Sequence, residues 1–163
     1  MPLILRTLRK NKFVHELQPA WILQDEIQAD ALKDLETTDN DLSVWLIEED
    51  LSNLDRVLAA LAANRDQLAN IDFALISLDV ITELGLLFQA TPGVTADREV
   101  SLLHRDLIRL TANRLAALAQ AIKRYARLER RSKAQVRSLL LDSIAAGHID
   151  PSSLKEGIAS KLT

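Results

Sequence analysis

Hydrophobic and polar positions change period along this chain, separating a mixed first half from a helix-like second half. Leu3 to Leu8 and Lys12 to Leu17 each read as a short strand. Pro19 opens a candidate helix over 20–35, with Trp21, Ile27, Ala31 and Leu35 roughly along one face. An extended path for Trp21 to Ile27 fits its first part almost as well. Thr37-Thr38-Asp39-Asn40-Asp41 is a turn by composition, because Asp and Asn side chains bond their own backbone there. Leu42, Val44 and Leu46 then alternate with Ser43, Trp45 and Ile47, which predicts a strand covered at least partly on both faces.

Ser52 is a helix-start residue, followed three positions on by Asp55. The helix Asn53 to Leu68 places Leu54, Val57, Leu58, Leu61 and Leu68 on one side. A second strand follows near 71–78, apolar from Phe73 to Leu78 apart from Ser77. Strand, helix and strand in that order are the signature of a βαβ unit with a right-handed crossover. Asp79 is a candidate cap for a short helix, Val80 to Phe88, which Thr91-Pro92-Gly93 breaks.

From Ala96 the pattern is helical throughout. Val100, Leu103, Leu107, Leu110, Leu118, Ile122 and Tyr125 recur at three- and four-residue steps. Leu102, Ile108, Leu115 and Ala119 widen the stripe. This predicts one long helix over 97–128 with an apolar face broad enough to dimerise. Ser132 caps a further helix ending at Gly147, and Asp150-Pro151 opens a last one. The fold expected is α+β and helix-dominated: a small N-terminal sheet (strands near 42–47 and 71–78) under a C-terminal layer of long helices. The chain reads as one domain over 1–163, mixed over 1–90 and helical over 97–163.

Composition agrees. Hydrophobic types make up 48% of the 163 residues, aromatics 4%, and there are four Gly and four Pro. Leu and Ala dominate, and both favour helix. The absence of cysteine excludes disulfides and thiolate chemistry, and fits a cytoplasmic setting. No apolar run approaches the roughly 20 residues of a membrane-spanning helix. The basic cluster Arg6, Arg9, Lys10 and Lys12 follows Leu3 to Leu5 rather than preceding an apolar stretch, unlike a secretory signal.

The net charge of −3 hides a strong asymmetry. Residues 13–104 carry four bases against eighteen acids, and residues 105–137 carry ten bases against two acids. Either the two regions pair within the chain, or the basic stretch meets an acidic partner or a nucleic acid backbone. Its densest part is Lys123, Arg124, Arg127, Arg130, Arg131, Lys133 and Arg137. Only Tyr125 lies among them, so base stacking is not suggested.

Signals for catalysis are thin. His104-Arg105-Asp106-Leu107 repeats four letters of the protein kinase catalytic loop, but Thr111 stands where that loop has Asn, and no Gly-rich loop exists. Arg98 and His104 have a spacing that resembles the Arg-to-His pair of HEPN ribonucleases. The resemblance implies an all-helical dimer in which Arg holds a phosphate and His moves a proton. Glu99 stands where that family has a different polar residue, and the strands before residue 79 depart from its fold. Asp39, Asn40, Asp41, Ser43 and Asp50 offer oxygen ligands, but Val44 holds the position an EF-hand loop gives to Gly. Glu48-Glu49-Asp50 is an acid run before a helix. His15, His104 and His148 sit at no metal-ligand step, so no metal and no cofactor is expected.

The function these patterns favour is a non-enzymatic interaction or regulatory protein. It would self-associate through the helix 97–128, using Leu103, Leu107, Leu110, Leu118 and Ile122, or bind a protein partner. A nucleic-acid-binding module using 105–137 comes second. A small ribonuclease using Arg98 and His104 comes third.

Overall fold

A computed structural model describes residues 1–9, 12–14 and 18–162. Lys10, His15 and the last part of the strand expected over 12–17 lie outside them. Six strands build one antiparallel sheet: β1 (Leu3–Leu8), β2 (Leu42–Ile47), β3 (Ile71–Ser77), β4 (Leu87–Ala90), β5 (His104–Ile108) and β6 (Arg127–Arg131). Their order is β4-β5-β2-β1-β3-β6. The helices are α1 (Leu54–Ala63), α2 (Leu78–Glu83), α3 (Arg98–Ser101), α4 (Ala112–Tyr125), α5 (Lys133–Ala145) and α6 (Glu156–Ala159). Short 3₁₀ helices span Ala29–Leu35 and Pro151–Ser153.

The sheet corrects the expected fold class. The chain is 39% helical and 22% strand, with one six-stranded sheet rather than a small one beneath a helical layer. The expected helix over 97–128 does not form. Its residues divide into α3, β5, α4 and β6. Two local features break it. Arg109 takes a left-handed backbone, with φ +55, and ends β5. Thr111 then caps α4, its hydroxyl accepting from the Arg114 amide at 3.3 Å. What holds β5 as a strand is pairing on both sides, to β2 from Leu42↔Leu107 to Trp45↔His104 and to β4 from Leu87↔Ile108 to Ala90↔Arg105.

β6 is an unusual strand, with four charged residues in five, and cross-strand chemistry holds it. Arg130 lies opposite Asp72 and donates to both carboxylate oxygens, at 2.6 and 3.1 Å. The Arg131 guanidinium sits 5.4 Å from the Phe73 ring centroid.

The βαβ reading needs a matching correction. β2 and β3 flank β1, and both run antiparallel to it. They are therefore parallel to each other with a strand between them, a split unit. Three smaller differences accompany it. α1 starts after Asn53, whose side chain instead ties down the end of β2 by donating to Leu46 O and accepting from Glu48 N. Ser77 rather than Asp79 caps α2, and the residues after α2 form β4 instead of more helix. Residues 20–28 form no regular helix, and only Ala29–Leu35 coils, as 3₁₀.

Both sheet faces are covered, so the strands bury side chains on alternate sides. One core joins Leu5, Trp45, Ile47, Phe73 and Leu75 to α1 and α5. The other joins Ile4, Val44, Ala74, Ile76 and Leu107 to α4 and the 3₁₀ helix at 29–35. α5 begins with a full capping box between Ser132 and Gln135, and Gly147, φ +75, follows its end as expected. Among the described residues, no helix is long and apolar enough to cross a membrane.

Candidate functional site

β1 pairs with β3 along its whole length, from Leu3↔Ser77 to Leu8↔Asp72. Its pairing with β2 stops at Leu5↔Trp45. Beyond that point β2 keeps its pairing with β5 on its other edge, and the two central strands splay. The Arg6 side chain enters the gap and ties β1 to the 3₁₀ helix and to β2. Its Nε donates to Asp34 O at 3.0 Å and its Nη1 to Ser43 O at 2.9 Å. Burial pulls the Arg6 guanidinium down to about 10, helped by nearby Arg9 and opposed by Asp34 and Glu36, so it stays charged at neutral pH. Asp34, itself buried, accepts the Arg9 amide at 2.5 Å and pins the 3₁₀ helix to the end of β1.

The far side of the gap is a tight turn. Thr38 and Asp41 exchange backbone hydrogen bonds of 3.1 and 2.9 Å, and Asp39 and Asn40 between them have φ +54 and +65. Such a turn needs two left-handed residues, which Asp and Asn tolerate best after Gly. It docks on the end of β5: Leu110 N donates to Asn40 O at 2.9 Å and Arg109 N to Asp41 Oδ1 at 3.2 Å. Between turn and strand lies an open cleft of about 620 Å³. Arg6, Arg9, Lys33 and Glu36 line it from the ends of β1 and the 3₁₀ helix, and Thr38, Asp39, Asp41, Ser43 and Asp106 from the turn, β2 and β5.

Asp106 links this cleft to His104. The two alternate along β5 and share the sheet face of Ser43 and Trp45, their partners on β2. Ser43 Oγ donates to Asp106 Oδ1 at 3.1 Å, and Thr91 Oγ1 to Asp106 Oδ2 at 2.6 Å. His104 Nδ1 lies 2.8 Å from Thr91 O, and a carbonyl only accepts, so this nitrogen carries a proton. Nε2 faces Asp106 Oδ1 at 3.7 Å. The imidazole is buried edge-on to the Trp45 ring, with centroids 4.7 Å apart. The Ser43 hydroxyl is bound to Asp106 and not to His104, so the group lacks the Ser-to-His contact of an activated nucleophile. It is a hydrogen-bonded carboxylate with an imidazole behind it.

The residues singled out by sequence fall elsewhere or play other parts. Arg98 is exposed on α3, while His104 is buried on β5. A six-stranded antiparallel sheet is not the all-helical architecture that the ribonuclease resemblance implies. Leu107, Leu110, Leu118 and Ile122 are buried in this chain's own core, and Leu103 packs half-buried against it. With no helix over 97–128, these five do not form one stripe.

The basic stretch is largely engaged within the chain. Lys123 donates to Glu26 O. Arg127 and Arg131 both bind Glu129, and Arg130 binds Asp72. Arg137 donates to Lys161 O and Leu162 O at 2.8 and 3.0 Å. Arg124 and Lys133 stand exposed. Glu48, Glu49 and Asp50 are exposed, Glu49 pairing with the chain's amino group and Asp50 accepting Ser52 N. Among the described residues, no three His, Asp or Glu side chains are grouped to hold a metal ion.

Sequence reasoning missed Arg6, Ser43, Thr91 and Asp106 as one neighbourhood. The available signal was the His-x-Asp step, which places both side chains on one face once that segment is a strand. Comparison with known protein families, curated proteins and solved structures finds no match.

Proposed function

We propose that this chain is a non-enzymatic interaction protein that associates with a second copy of itself, pairing strand β4 to strand β4. The observation that carries this reading is the contrast between the two sheet edges. β6 bears Arg127, Glu129, Arg130 and Arg131, the charges with which proteins guard an open edge. β4 has the sequence Leu-Phe-Gln-Ala, carries no charge and no Pro, and is exposed at every residue. Leu87 and Phe88 are 46% and 43% exposed. Val94 and Leu102, exposed as well, stand where the chain leaves β4 and approaches β5.

An edge of this kind is a template for strand addition. A second β4 suits it because an antiparallel two-fold pairing sets Leu87 against Ala90 and Phe88 against Gln89, with no charge facing a like charge. Self-association therefore rests on an edge and not on a helix face. A cytoplasmic setting is part of the same reading and rests on the cysteine-free composition.

Sedimentation or light scattering at tens of micromolar tests it. The wild type is expected as a dimer, and Leu87→Lys with Phe88→Lys as a folded monomer with an unchanged circular dichroism spectrum. A monomeric wild type, or a double variant that still dimerises, overturns the reading.

A further inference from the structure

The cleft at the splayed end of β1 and β2 is a dipolar box. Arg6, Arg9 and Lys33, with Glu36 beside them, line it from the ends of β1 and the 3₁₀ helix, and Asp39, Asp41 and Asp106 line it from the turn and β5. Among the described residues, no ion pair joins the two sides. The ion pairs of Arg9 and Lys33 run within their own side, to Glu36 at 3.9 Å and to Asp30 at 2.8 Å. The bonds Arg6 makes go to two backbone carbonyls. On the acidic side, Asp41 is held by a backbone amide and Asp106 by two hydroxyls. Bases and acids thus line one space of about 620 Å³, within the range of small-molecule sites.

We infer that this cleft binds a small zwitterion, a molecule with an anionic carboxylate or phosphate head and an ammonium group. The anionic head meets Arg6 and Arg9, and the ammonium meets Asp41 and Asp106. A simple anion would meet the bases but also four carboxylates, Glu36 included, and a simple cation would meet the three bases. Only a ligand carrying both charges matches both sides at once. The site is also preorganised. Arg6 is locked by two carbonyls, the turn is docked on β5, and Asp106 is oriented by Ser43 and Thr91, so little ordering remains for binding to supply.

No residue of β4 lines the cleft, so its test is read by ligand titration and does not depend on assembly. The probes are glycine, lysine and phosphoethanolamine, titrated to roughly 10 mM, the weak end of specific binding, against ¹⁵N-labelled full chain. At least one is expected to shift the amide signals of Arg9, Ser43 and Asp106 saturably. Arg9→Gln and Asp106→Asn are each expected to weaken it by about tenfold or more. Asp41→Asn, whose amide oxygen can still accept Arg109 N, serves if Asp106→Asn fails to fold. N-acetylglycine and glycine ethyl ester, each with one charge blocked, are expected to bind more weakly than glycine. No shift with any zwitterion, shifts confined to another surface, or equal binding of the blocked analogues overturns the inference.

Discussion

Removing the carboxylate of Asp97 tests how the loop before α3 is fastened to α1. Asp97 is 3% exposed at its side chain. One oxygen accepts Glu99 N at 2.9 Å and Val100 N at 3.3 Å, capping α3. Arg56 of α1 grips both oxygens, at 2.6 and 3.1 Å. Asp97→Ala loses the cap, worth about 1 kcal/mol, and leaves a guanidinium short of its buried partner. Complete orphaning of a buried ion costs roughly 3–5 kcal/mol, but Arg56 is 28% exposed and keeps Glu99, so a smaller share applies here. The expected total is about 2–4 kcal/mol, or roughly 4–16 °C in Tm for a chain of this length. Glu99→Ala removes the other, 75% exposed partner and is expected to cost under about 1 kcal/mol.

The same carboxylate makes a pH prediction. Burial pushes the Asp97 carboxyl up, but the Arg56 hydrogen bonds, the Val100 and Glu99 amides and the Arg56 charge outweigh it and leave it below the ordinary range. A depressed carboxyl stabilises the fold above its unfolded-state value of about 3.9, and this contribution fades as pH falls through the lower folded value. Wild-type stability therefore drops more steeply than that of Asp97→Ala below about pH 4. Glu129, depressed by Arg131 and Arg127 against burial, leaves some slope in both proteins. Thermal and urea unfolding from pH 2.5 to 7 provide the measurement. Equal costs for Asp97→Ala and Glu99→Ala, or parallel pH curves for wild type and Asp97→Ala, would refute the reasoning.

Two further substitutions probe the sheet. A Cβ added at Gly93 would lie 2.6 Å from Trp45 Cη2 and 2.8 Å from His104 Cβ, so Gly93→Ala is expected to cost about 1–3 kcal/mol by overpacking. The check is a lowered urea midpoint with an unchanged m value, and an unaltered midpoint would mean the loop over His104 is loose. Leu118→Ala is expected to lose about 2–5 kcal/mol and leave the molecular mass in solution unchanged, because the side chain is 2% exposed within its own chain. Dissociation of an assembly by this variant alone would return α4 to the role of an interface.

The elements legible from residues alone are those whose information is local. β1 forms where a short strand is read, β2 matches its alternation, and β3 matches its apolar run. Ser132 starts α5 because a hydroxyl and an amide three residues on satisfy each other's backbone partners without outside help. The turn at Asp39-Asn40 follows from two residue types that accept a left-handed backbone. For the candidate site, this reasoning reached the turn and singled out His104, but not their common neighbourhood.

The remainder depended on partners distant in the chain. Val100, Leu103, Leu107 and Leu110 have helical spacing, yet Leu107 faces the core from a strand, because β2 and β4 supply the backbone bonds on either side. Arg127 to Arg131 form a strand because Asp72 and Phe73 lie opposite, more than fifty residues earlier. The opening between β1 and β2 has no signature in either segment. It lies where β1 stays paired with β3 while β2 is held on its other edge by β5, and Arg6 fills the gap. Turns, caps and alternating strands follow from the chain's nearest neighbours in sequence. Strand pairing, and with it the cleft and the exposed edge, is set by which segments meet once both cores have closed.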